Sequence, residues 1–118
     1  MRLCKFLNWK FDRVERNCWH FTQAVWKELT GYDLGSRAPV ASSDPLEVVE
    51  DYSKGLKRIT RPASPCLVVA IKPRTVPHVG VYYQGMVMHA NQAGVRYEFL
   101  ELFKQGYPEI QFYVPNKD

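Results

Sequence analysis

Apolar and small side chains recur at helical spacing through Cys18, Phe21, Thr22, Val25, Trp26 and Leu29, and Gly31 follows as a stop. The pattern predicts an amphipathic helix over Cys18–Thr30 with Cys18 on the stripe that meets the rest of the fold. A loop rich in Gly, Ser, Ala and Pro comes next. Asp44-Pro45-Leu46-Glu47 then reads as an N-cap, a first-turn proline and a capping glutamate, which predicts a second, shorter helix from Pro45 to Ser53. In the second half the period changes. Cys66–Ile71 is continuously apolar, His78–Tyr83 mixes apolar and aromatic residues, and Gln84-Gly85 supplies a hairpin turn into Met86–Ala90. Val95–Phe99 and Ile110–Val114 complete an expected sheet of about five strands. Helices followed by antiparallel strands predict an α+β fold, one domain over residues 1–118, with the first helix covering the sheet.

Composition narrows the reading. With 118 residues, 46% of them hydrophobic, the chain can bury a core without covalent staples. Its three cysteines, Cys4, Cys18 and Cys66, are odd in number and widely spaced, which argues against a disulfide framework and for a reduced compartment. Charge interrupts the N-terminus before any apolar run reaches signal-peptide length, so synthesis in the cytoplasm without a signal peptide is expected. No run approaches a membrane span. The net charge is +4, with Lys54, Lys57, Arg58 and Arg61 close together. Lacking interleaved aromatics or a groove-reading motif, this cluster reads as a solvated basic face, and no nucleic-acid partner is expected.

The chemistry lies in a thiol and two imidazoles. A helix N-terminus favours thiolate, and an imidazole brought to it can take up and return a proton, so Cys18 is the candidate nucleophile and His78 the candidate base. The Cys18 backbone N–H at the same terminus is a candidate oxyanion donor. His89, on the strand expected to pair with that of His78, is the candidate orienting group as a cross-strand or diagonal neighbour. Cys4 and Cys66 read as packing residues and His20 as a helix-surface residue. A zinc site built from Cys18, His20, His78 and His89 is the competing chemistry. It is disfavoured because residues two apart on a helix diverge and no C-x-x-C or H-E-x-x-H pattern occurs. Neither a metal nor another cofactor is expected.

At these residues the chain resembles the NlpC family of papain-like cysteine peptidases, which cleave peptide stems of the bacterial cell wall. Asn17-Cys18-Trp19-His20-Phe21 resembles the family's nucleophile motif, His78-Val79-Gly80-Val81-Tyr82 its base motif, and Met88-His89-Ala90 the segment with the orienting residue. The chain has Asn17 and His20 where the family usually has an acidic residue and a glycine. Trp9-Lys10-Phe11 stands nearest the family's upstream tyrosine, without its hydroxyl. The resemblance implies a papain-like fold and catalytic Cys18, His78 and His89, with Trp9, Trp19 and His20 beside the nucleophile as substrate-binding residues. It also implies a peptidoglycan stem peptide as substrate, hydrolysed through a Cys18 thioacyl-enzyme. Trp19 and the ending Phe112-Tyr113-Val114-Pro115 look most like the phage-tail-associated variants, so delivery to the cell wall by a tail or phage-derived secretion apparatus is expected. Two alternatives stay open: acyl transfer or another amide hydrolysis on the same scaffold, and a non-catalytic tail-assembly module.

Overall fold

A computed structural model describes residues 6–7, 9–10, 18–35, 54–73, 77–91 and 93–116. The helix expected at Pro45–Ser53 falls outside them. Helix α1 spans Cys18–Thr30, as its apolar period predicts, and buries Trp19, Phe21, Thr22, Val25 and Trp26. It ends where Gly31 turns to φ 77° and its N–H returns to the Lys27 carbonyl at 2.8 Å, a left-handed cap that suits glycine. Asp33 folds the following loop back: its Oδ1 accepts from the Gly35 N–H at 2.8 Å and from Gln23 Nε2 at 2.9 Å. These bonds hold its carboxyl below the usual range, the Gly35 N–H contributing most.

Six strands follow: β1 (Leu56–Ile59), β2 (Cys66–Ile71), β3 (His78–Tyr83), β4 (Met86–Asn91), β5 (Gly94–Phe99) and, after a five-residue helix α2 (Leu100–Lys104), β6 (Glu109–Pro115). They form one antiparallel sheet in the order β1-β6-β2-β3-β4-β5. The sequence led us to expect about five strands; β1 is the additional one. Its Leu-Lys-Arg-Ile has two inward-leaning apolar ends and two exposed charges, a short charged edge of the kind that discourages further pairing. Lys57 and Arg58 of the basic cluster thus lie on an edge strand.

Strand alternation divides the core into two faces. Leu67, Val69, Val79, Val81, Met88, Ala90 and Tyr113 pack with α1 and with Phe6. Phe6 and Trp9 meet Phe21 edge-on, at ring centroid distances of 5.8 and 5.6 Å. On the other face Cys66, Val68, Ala70, Val87 and Phe112 pack under Phe103 of α2, with Tyr82 and Tyr107 at the margin. Strand β2 is covered on both sides, which explains its unbroken apolar run.

Two glycines bring β3 and β4 together. The hairpin turn takes positive φ at both central residues, 51° at Gln84 and 85° at Gly85, the type I′ geometry whose twist matches that of the strands. Further along, a Cβ on Gly80 would lie 2.8 Å from the Met88 carbonyl oxygen and 3.1 Å from His89 Cβ. Since the first of these is backbone, any side chain here must push the strands apart. We expect Gly80→Ala to destabilise the fold by about 1–3 kcal/mol through overpacking. Thermal melting checks this; an unchanged Tm would mean that the strand pair has slack.

Candidate active site

His78 opens β3 and His89 lies four residues into β4 counting from Met86 as the first. The hairpin register pairs Val81 with Met88, so His78 stands diagonal to His89 on the same sheet face. The rings meet edge to face at a centroid distance of 4.9 Å, with His78 Nε2 2.9 Å from His89 Nδ1. His89, 4% exposed, places its Nε2 2.6 Å from Glu98 Oε2 on β5. The β4–β5 register sets Arg96 opposite His89, and Glu98 follows two residues later on that same face. A continuous hydrogen-bonded line therefore runs from His78 through His89 to Glu98, across three neighbouring strands.

Aromatic rings wall this line in. Phe103 lies 4.9 Å from the His89 ring, Tyr107 stacks on His78 at 6.3 Å and 12°, and Phe103 and Tyr107 are 5.0 Å apart. Burial in this apolar surround disfavours charge on both imidazoles. It pushes His78 down from 6.5 to about 3, with the His89 charge adding to the effect. His89 is also lowered, chiefly by burial; the hydrogen bond and charge of Glu98 oppose the shift and Arg96 reinforces it. Both rings are neutral near pH 7, so each carries one N–H and one bare nitrogen.

Cys18 is half-buried as the first residue of α1, whose first turn contains no acidic side chain. The positive end of the helix is thus not met by a carboxylate within the helix. Alternation puts His78 and His89 on the face opposite the one that α1 covers. Tyr107 stacks on His78, and its phenol is raised first by burial and then by the charge of Cys18.

The remaining candidates fall elsewhere. The Trp19 indole is 1% exposed within the core, and its Nε1 donates to the Gly35 carbonyl at 2.9 Å. The ring packs in the core and tethers the loop after α1. Trp9 is half-buried against Phe6 and Phe21, and His20 is half-buried on α1. Cys66 is a fully buried thiol pushed up to about 11 by burial, which makes it a poor nucleophile. Cys4 lies outside the described residues. Among the described residues no group of three or more His, Cys, Asp or Glu side chains is arranged to hold a metal ion.

Two site residues escaped the sequence reading. Glu98 was detectable in principle, since extending the hairpin past Asn91 and Gly94 places an acid diagonal to His89. Tyr107 follows a helix too short to show a period, so no local signal points to it. No family model matches the chain, and neither a curated protein nor a solved structure matches it.

The imidazoles, His89 buried and His78 half-buried, tie stability to pH. Between about 6.5 and about 3 the unfolded chain binds a proton at His78 that the folded chain refuses, so stability is full above this window and falls as the pH drops through it. We expect the fall to be shallower in His78→Asn by up to one proton, about 1.4 kcal/mol per pH unit. Urea midpoints for both proteins across that range check this, and equal slopes would contradict it.

Proposed function

We propose that the protein is a papain-like cysteine hydrolase of the NlpC type that cuts amide bonds in peptidoglycan stem peptides. The observation that carries this reading is the hydrogen-bonded His78–His89 pair, 2.9 Å apart, with Tyr107 stacked on His78 and its phenol sensing the charge of Cys18. A sheet that holds two neutral imidazoles in line suits a base and the group that orients it, with the Cys18 thiol as the proposed nucleophile.

In the proposed reaction the Cys18 Sγ attacks the amide carbonyl carbon while His78 takes the thiol proton. The resulting oxyanion is met by the Cys18 backbone N–H at the helix terminus. The Tyr107 hydroxyl, which burial and the Cys18 charge keep protonated, is available as a second donor and answers for the hydroxyl lacking at Trp9. Collapse breaks the C–N bond, and His78 passes the proton to the leaving amine. Water then attacks the thioester, His78 takes its proton, and the carboxylic acid departs as the proton returns to sulfur. No step calls for a metal or redox partner. The exposed Lys57 and Arg58 suit the carboxylates of a stem peptide, and delivery by a phage tail or phage-derived secretion apparatus fits the resemblance to tail-associated peptidases.

Digestion of purified peptidoglycan followed by mass spectrometry tests the reading. The native protein should release stem-peptide fragments with new termini, Cys18→Ala and His78→Ala should release none above background, and His89→Ala should be slowed about 10–100-fold, as when an orienting partner is lost. An undigested wall with the native protein would discard the hydrolase. Fragments joined to an added amine would convert the assignment to acyl transfer.

A further inference from the structure

The line of hydrogen bonds ends on a group that can act in one sense only. A carboxylate has no proton to give, so across the 2.6 Å contact His89 Nε2 donates to Glu98 Oε2. A neutral His89 then has a bare Nδ1, which must accept across the 2.9 Å contact from His78 Nε2–H. That leaves Nδ1 of His78 as the ring's lone-pair nitrogen. We infer that Glu98 is a positioning residue: acting through His89, it fixes the tautomer in which His78 offers Nδ1 as the base. The inference rests on the reading of Cys18 and His78 as nucleophile and base for its catalytic consequence, though not for the tautomers themselves.

Three further observations support it. Glu98 retains 23% side-chain exposure against 5% for His89, so the carboxylate keeps some contact with water on an edge strand while its Oε2 serves the ring. The neighbouring Arg96, opposite His89, disfavours an imidazolium, which preserves a ring with one donor and one acceptor. The Phe103 and Tyr107 rings cover both imidazoles, which limits their access to water as an alternative partner.

Two variants separate orientation from support of the fold. Glu98→Leu keeps the bulk and removes the acceptor, whereas Glu98→Gln keeps an acceptor in its amide oxygen. Long-range 1H–15N spectra at pH 7 read the ring nitrogens directly, with His20 as an internal control. In the native protein and Glu98→Gln, both His78 and His89 should show protonated Nε2 and bare Nδ1. In Glu98→Leu the two rings should move towards tautomer-averaged shifts, and alkylation of Cys18 by iodoacetamide should slow by about tenfold, in line with loss of an outer hydrogen-bonding partner. Unchanged ring shifts in folded Glu98→Leu would overturn the inference, as would protonated Nδ1 in the native rings. A native protein with the expected tautomers that leaves peptidoglycan uncut would uphold the role of Glu98 in fixing the rings and discard the hydrolase.

Discussion

The site depends on the close approach of β3 and β4 at Gly80. The imidazole bond between His78 and His89 spans these two strands, and its length is set by backbones that admit no Cβ on the facing side at that position. This ties the glycine in His-Val-Gly-Val-Tyr to chemistry as well as packing. The type I′ turn at Gln84-Gly85 fixes the register from one end, and the missing side chain fixes the spacing in the middle. With both set, a diagonal pair of histidines has little choice but to meet.

Burial and hydrogen bonding then act against each other. Aromatic cover from Phe103 and Tyr107 penalises charge on either ring, while Glu98 favours it on His89; burial is the larger effect and both rings stay neutral. Neutral rings form a directed line only if something at its end breaks the symmetry between their two nitrogens. An ionised acid on a partly solvated edge strand does this at modest desolvation cost, whereas the same carboxylate deep in the core would lose far more hydration. The edge position of β5 is therefore part of the electrostatics of the site.

The elements that bury a regular stripe were legible in the sequence. The boundaries of α1, β2 and β3 coincide with their apolar patterns, because each covers or occupies the core over its whole length. What escaped was short or charged: β1 with Lys57 and Arg58 at its centre, and the five-residue α2, held by Phe103 and by the Leu100 N–H bonded to the Gly85 carbonyl. Neither has room for a period. In the site, the histidine pair followed from one hairpin, while Glu98 required extending the register across a second and Tyr107 required knowing where α2 returns the chain. Trp19, next to Cys18 in sequence, points into the core instead, since neighbouring residues on a helix point about 100° apart.

The two-faced sheet also bears on how the proposed reaction would handle charge. Helix α1 lies on one face and the imidazoles on the other, so the proposed reaction would have to bring Cys18 and His78 together at the margin of the sheet. A buried imidazole held near 3 takes a proton at a cost, and a resting thiolate–imidazolium pair is correspondingly disfavoured. Charge separation then belongs with attack on the substrate, when proton transfer to His78 coincides with formation of an oxyanion that the helix terminus stabilises.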